Sequence, residues 1–367
     1  MTAEKREDEK SMGYKDNPFT IGYGDIPEKY IERTMQENQI MDTFLSEKPS
    51  TKTYILTGIR GSGKTVTMAK VASVIEKLSG WTVIRLTTET DMLLDLEAEL
   101  AKNPLIHELY EKPEFKLVLP VFEASRHNDA PTGVHIANIR SILKVMQKLQ
   151  KRLLIVIDEA VNTSTMREFI QAYQTYVSEG LPVFLLMTGL FENVDALQNE
   201  KNMTFLTRAP RIALQPLKIR NIADIYKEVF DINIAEATRM AEYTKGYPYA
   251  FQLLGYVKWL YPRESDEVIL NRYDEMLEDY SYTKIWSDLS ELDRKVFWAI
   301  SQSSGGKVEE IREMIGMDSN KFTVYRNRLL KKGLVSSPSY GVLKLTIPRF
   351  DVFLKNNNMD DPFTLLF

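Results

Sequence analysis

Two hydrophobic periods alternate along the N-terminal part of the chain. Short, dense apolar runs rich in β-branched residues, at Thr53–Thr57, 81–87, 153–157 and 183–187, have the length of strands buried on both faces. Between them, apolar residues recur every three or four positions, as on one face of a helix. Val66, Val71, Val74, Ile75 and Leu78 predict a helix that stops near Gly80. Residues 92–105 predict a second, and Ile136, Ile139, Leu143 and Met146 a third. Met166, Phe169, Ile170, Tyr173 and Val177 predict a fourth, stopped by Gly180. Residues 116–122 read as another strand or an edge hairpin outside the main sheet, and 211–217 as the last strand. Strands alternating with helices build a parallel sheet covered on both sides, so the expected fold class is α/β.

The pattern changes twice further on. Residues 218–280 carry helical spacing alone, with Ile222, Tyr226, Val229 and Phe230 on one face. From Ser290, Leu292, Val296, Phe297 and Ile300 predict one helix, ended by Gly305 and Gly306. Val308, Ile311 and Ile315 predict a short second helix closed by Gly316. Asp318 caps a third, Ser319–Lys332, with Phe322, Tyr325 and Leu329 facing inward. Two strands, 334–336 and 342–347, flank a turn at 337–341. Three helices and a hairpin predict a winged helix-turn-helix.

Composition narrows the chemistry. The chain has 367 residues, 44% hydrophobic and 27% charged, enough for a sizeable core in each of about two to three domains. It has no cysteine, which excludes disulfides, thiol catalysis and cysteine-held zinc. His107, His127 and His135 are its only histidines, none in HExxH spacing, so a zinc enzyme is not expected. Lys and Arg number 47 against 51 Asp and Glu, a net charge of −4 that excludes a uniformly basic coat but allows a local patch. The first 16 residues, charged in both signs without an apolar core, read as a disordered leader and not a signal peptide. No apolar run approaches the 18 or so residues needed to cross a bilayer. A soluble, cytoplasmic protein is the expectation.

One segment carries decisive chemistry. Gly58-Ile-Arg-Gly61-Ser62-Gly63-Lys64-Thr65 fits G-x-x-x-x-G-K-[ST] between a predicted strand and a predicted helix. The glycines let successive amides face a polyphosphate, the helix N-terminus adds partial positive charge, Lys64 meets the β- and γ-phosphates, and the Thr65 hydroxyl binds Mg²⁺. These residues and the following Val66 are the candidate nucleotide contacts. The run KRLLIVIDEA then ends a buried strand in Asp158 and Glu159. A carboxylate there lies beside the nucleotide of a doubly wound sheet: Asp158 for the Mg²⁺ shell, Glu159 to orient or deprotonate the attacking water.

The third helix of the C-terminal region carries Lys321, Arg326, Arg328, Lys331 and Lys332 and no acid. Asn320, Val324, Asn327 and Lys331 lie opposite its buried face. Amides for base edges and cations for phosphates make Asn320, Lys321, Asn327, Arg328 and Lys331 candidate contacts to double-stranded DNA. Winged helices also dock proteins, and a basic helix is often only a solvated face.

The sequence resembles the AAA+ superfamily, specifically bacterial AAA-family ATPases related to origin-recognition initiators and archaeal ATPases. The resemblance runs through Asn17-Pro-Phe-Thr-Ile-Gly-Tyr-Gly-Asp-Ile-Pro27, Tyr30-Ile-Glu-Arg33, the glycine-rich loop and the acidic strand. It continues through Glu179-Gly-Leu-Pro-Val-Phe-Leu-Leu-Met-Thr-Gly189 and Phe205-Leu-Thr-Arg-Ala-Pro-Arg-Ile-Ala-Leu-Gln-Pro-Leu217. It implies a P-loop NTPase (AAA+) domain over 17–217, a helical lid over 218–284 and the winged helix over 285–367. It also implies ATP and Mg²⁺ as ligands, with Tyr30 and Ile31 near adenine, though both suit a core equally. Thr188 falls where the family senses the γ-phosphate; the alternative is a strand-end hydroxyl bonding its own backbone. Arg208 and Arg211 flank the place of an arginine finger reaching the nucleotide of a neighbour in a homo-oligomer; either could instead be a surface ion pair. The lid departs from the pattern. Gly246-Tyr-Pro248 stands at its sensor arginine, and it resembles STAND-class and related archaeal ATPases in which the proline contacts nucleotide. Gly-x-Pro also simply starts helices.

Three functions remain open. The first is an ATP-controlled DNA-binding ATPase that turns over slowly. The second is a STAND-like signalling ATPase whose winged helix docks on protein. The third is a scaffold that binds nucleotide without hydrolysis, which the retained Glu159 argues against.

Overall fold

The computed structural model describes residues 16–22, 26–104, 131–201 and 203–357. The expected leader, Asp16 apart, and the strand-like run 116–122 lie outside them. The described residues fall into two compact units. One holds Glu32–Pro216 and Ser290–Thr346; the other takes the N-terminal segment up to Ile31, Leu217–Leu289 and the residues from Ile347 onward. This grouping differs from a three-part division of the sequence, because residues 290–346 join the unit that contains the sheet.

That sheet has five parallel strands among the described residues: β1 (Thr53–Thr57), β2 (Trp81–Leu86), β3 (Arg152–Ile157), β4 (Val183–Gly189) and β5 (Arg211–Ala213), in the order β2-β3-β4-β1-β5. Every residue of β1 and β4 is buried. The two-residue period of the strands divides their side chains between two cores. Ile55, Ile155, Ile157, Leu185 and Met187 pack with Leu96, Ile139, Ile142, Phe169 and Ile170, from helices α3 (Met92–Lys102), α4 (Thr132–Lys148) and α5 (Ser164–Ser178). Tyr54, Leu56, Leu154, Val156, Phe184 and Leu186 pack with Ile40 and Phe44 of α1 (Thr34–Leu45) and Met68, Val71 and Ile75 of α2 (Lys64–Glu76). Burial on both faces is why these strands read as continuous apolar runs.

Two elements depart from expectation. Helix α2 buries Lys64, Thr67, Met68, Val71, Ala72 and Ile75. Val66 and Val74 are half-exposed, and Leu78 lies beyond its end, 37% exposed. The true stripe keeps a strict three-four spacing and accepts Thr67 and Ala72, which a count of large apolar residues overlooks. Strand β5 is only three residues long, where 211–217 was expected. Among the described residues it pairs with β1 alone, and past Ala213 the Gln215 carbonyl turns to the Arg33 guanidinium, at 2.6 Å, just before Pro216.

The same unit contains helices α12 (Glu291–Gln302), α13 (Val308–Met314) and α14 (Ser319–Lys332), then an antiparallel hairpin of β6 (Val335–Ser339) and β7 (Val342–Leu345). Asp318 caps α14 by accepting from the amides of Asn320 and Lys321 at 3.0 and 2.9 Å. On α12 the inward position is Asp293, 2% exposed, while Leu292 is only half-buried. Asp293 turns inward because it receives the Arg328 guanidinium of α14 at 3.0 Å.

The other unit is helical. It comprises α7 (Ile219–Phe230), α8 (Ile234–Glu242), α9 (Pro248–Leu260), α10 (Asp266–Leu277), a π turn Glu278–Tyr282, α11 (Thr283–Ser287) and α15 (Phe350–Asn356). Phe19 joins its aromatic core, 5.7 Å from Phe230 and 5.8 Å from Phe251 between ring centroids. Gln252 ties the same N-terminal segment down, accepting from the Thr20 amide and donating to the Lys29 carbonyl. A half-buried Arg349–Asp274 ion pair anchors α15.

Candidate functional site

The chemistry gathers at the C-terminal edge of β1, β3 and β4. Parallel register sets Leu56 of β1 opposite Thr188 of β4, and Ile157 of β3 opposite Met187. The loop after β1, the acidic pair after β3 and the Thr188 hydroxyl therefore converge. The loop turns into α2 through Gly61 and Gly63, at φ 70° and 85°, a left-handed backbone that only glycine adopts without strain. Gly63 is the N-cap and no side chain caps α2, so its first amides face the loop.

Lys64 is 8% exposed and folds its ammonium back onto the carbonyls of Gly58 and Ile59, at 3.0 and 2.9 Å. Burial pushes its pKa down to about 8, against the opposing pull of Asp158, Glu159 and Glu192, which favour the charged form. The Thr65 hydroxyl donates to Asp158 Oδ2 at 2.7 Å, and the buried Thr188 hydroxyl donates to Asp158 Oδ1. Asp158 is thus held from both sides. The Glu159 amide donates to Asp158 Oδ1 and to Thr188 Oγ1, each at 3.1 Å. These bonds hold Glu159 at φ 52°, a left-handed backbone costing about 1–3 kcal/mol for a residue with a side chain. Its carboxylate projects outward, 62% exposed and 3.8 Å from the Arg60 guanidinium.

The residues fit a polyphosphate with a hard cation. Ser62 Oγ is buried within the loop without a hydrogen-bond partner among the described residues, next to the uncapped amides of α2. Thr65 and Asp158 offer hydroxyl and carboxylate oxygens, the donors Mg²⁺ takes when phosphates complete its shell. Among the described residues no cluster of three or more His, Cys, Asp or Glu gathers as an all-protein metal cage.

Other expected residues stand apart from this cluster. Arg208 ends a 3₁₀ turn, Thr204–Arg208, exposed and without an ion pair among the described residues. Arg211 lies 3.5 Å from Asp195 and 5.4 Å over the Phe191 ring. Tyr30 and Ile31 belong to the helical unit, Ile31 buried, and Pro248 occupies the first position of α9. On α14, Asn320, Lys321 and Asn327 are exposed. Arg328 is engaged by Asp293, and Lys331 lies 5.7 Å over the Phe191 ring.

Sequence reading missed one residue of the loop's support. Arg33, 8% exposed, donates to the Ser62 carbonyl at 3.0 Å as well as to Gln215, and so fixes the loop to the end of the sheet. No local pattern marks it, since both partners are distant backbone carbonyls.

Residues 36–178 match the family model described as an AAA domain. Over these residues the chain is similar to an AAA domain. Its P-loop fold is shared with solved archaeal structures. A Walker-type ATPase of Pyrococcus abyssi superposes with a TM-score of 0.60 at 15% identity, covering 89% of this chain and 96% of that one. The ORC2 protein of Aeropyrum pernix, solved in ADPNP–ADP complexes, gives 0.56 at 14% identity over 93% and 98%. At such identities the likeness is one of fold. Residues 280–354 match a second model, described as a domain of unknown function, and no curated protein matches. No helix among the described residues is long and apolar enough to cross a membrane.

Proposed function

We propose that the protein is an ATP-binding switch that hydrolyses ATP slowly and whose nucleotide state governs its assembly and its C-terminal module. The observation that carries this reading is Asp158, clasped by Thr65 and Thr188 directly beside the Lys64 loop. Lys64, Ser62 and the loop amides would hold the phosphates. Thr65 and Asp158 would hold Mg²⁺, whose chemistry there is neutralisation of phosphate charge. Glu159 would orient the attacking water and take its proton, and Thr188 would respond to the γ-phosphate through Asp158. Arg208 suits the finger better than Arg211, because Asp195 and Phe191 already engage Arg211. Gly246-Tyr-Pro248 in place of a lid arginine supports slow turnover.

The output favoured here is double-stranded DNA, read by a winged helix through Asn320, Lys321 and Asn327, which remain exposed on α14. A second reading, a signalling ATPase whose winged helix docks on protein, is supported by the engagement of Arg328 with Asp293. Two measurements test the proposal. Glu159→Gln keeps shape and removes the base, so turnover should fall at least roughly tenfold with ATP affinity kept; parental turnover would refute the role. DNA titrations with ATP, ADP or neither, at several salt concentrations, should show salt-sensitive binding that Lys321→Ala weakens. Salt-insensitive or absent binding in every state would hand the output to the docking reading.

A further inference from the structure

The last turn of α14 meets the loop end of the AAA domain. Lys332 donates from Nζ to Glu192 Oε1 at 2.7 Å, and its side chain is 13% exposed against 41% for Glu192. Glu192 stands in the first turn of helix α6 (Phe191–Gln198), which follows directly on the strand that ends in Thr188 and Gly189. Its carboxylate also acts on Lys64, favouring the ammonium. Gly333, which closes α14, comes so near the phosphate loop that a Cβ there would stand 3.6 Å from Ile59 Cγ2. One carboxylate therefore pairs with the ammonium of the C-terminal module and also favours the charged form of the loop's.

We propose that Lys332 discriminates between nucleotides: exchanged from Glu192, its ammonium binds the terminal phosphate of ATP, which ADP lacks. This rests on the reading of the loop as an ATP site. A nearly buried ammonium needs a counter-charge, and Glu192 supplies it. A γ-phosphate brings more negative charge and three strong acceptor oxygens into the same neighbourhood, where Glu192 is a like charge. ATP thus competes with Glu192 for Lys332. Lysine suits the exchange, being a compact charge on a flexible four-carbon stem. The two partners must then act with opposite sign. Removing the cation leaves Glu192 unneutralised toward the phosphates, whereas neutralising Glu192 removes repulsion and frees Lys332. A contact that only docked α14 would lose in both variants and would not distinguish ATP from ADP.

Calorimetric titration of the full chain with ADP, and with a non-hydrolysable ATP analogue, both with Mg²⁺, tests the exchange. Lys332→Met should weaken the analogue about tenfold and leave ADP within about twofold. Glu192→Gln should tighten the analogue several-fold, and the double variant should lie between the two. If Lys332→Met does not fold, Glu192→Gln, which keeps its shape, carries the sign test alone. Equal effects on both nucleotides, no effect on either, or weakening of the analogue by Glu192→Gln would overturn the proposal while leaving the ATP site standing. A wild-type chain that binds neither nucleotide would overturn the site and this exchange together.

Discussion

Thr188→Val keeps the shape of a fully buried strand residue and removes one hydroxyl. Thr188 is 0% exposed between β1 and β3, so the isosteric valine leaves the packing filled. The lost hydroxyl donated to Asp158 and accepted from the Glu159 amide. That amide keeps Asp158 Oδ1 at 3.1 Å, and Asp158 keeps Thr65 at 2.7 Å. The net change is one hydrogen bond to a carboxylate, worth about 1.5–3 kcal/mol. Thr188→Ser keeps the hydroxyl and loses a methyl, about 1 kcal/mol. Urea unfolding should therefore rank wild type first, serine second and valine last, with valine about 2 kcal/mol below wild type. ATP affinity should change little in the valine variant, but turnover should fall about tenfold or more as Asp158 loses its alignment. Valine as stable and active as wild type, with serine worse than either, would refute the idea that the hydroxyl holds Asp158.

Further outcomes concern Lys64 and Arg208. Bound phosphates restore the charged form of Lys64, whose pKa burial has lowered to about 8, so ATP affinity should be flat below that pH and fall about tenfold per unit above it. Without nucleotide the sign reverses: the folded chain holds this proton less tightly than the unfolded one. The penalty is therefore full below pH 8 and relieved as pH rises toward 10.5, and an affinity independent of pH from 7 to 10 would contradict the assignment. Arg208→Ala should cut turnover by about tenfold or more without weakening ATP binding, and wild-type specific activity should rise with protein concentration. Concentration-independent activity with Arg208 dispensable would indicate a monomeric switch.

Much of this was legible in the sequence where local physics decides. Strands buried on both faces announce themselves as apolar runs, and the loop motif sits between a strand and a helix because nothing else lets its amides turn outward. Helix α14 keeps the bounds its sequence suggests because Asp318 caps its start, and Gly333 closes it in a left-handed backbone. What failed depends on distant partners. Asp293 occupies an inward position where its carboxylate accepts from Ser290 and from Arg328, 35 residues on. Lys332 reads as one more solvated cation until Glu192, 140 residues away, accepts from it. Strand β5 ends early because Arg33 captures Gln215, and no window of sequence contains both.

Equilibrium titration of wild type and Lys64→Ala with ATP and Mg²⁺ decides whether Lys64 and its loop bind ATP. Lys64 bonds only its own loop's carbonyls among the described residues, so the fold should survive the change. Wild type should bind saturably, and the variant should lose at least roughly a hundredfold in affinity, as the phosphates lose their loop-borne cation. Equal affinity in a folded Lys64→Ala protein would contradict that role.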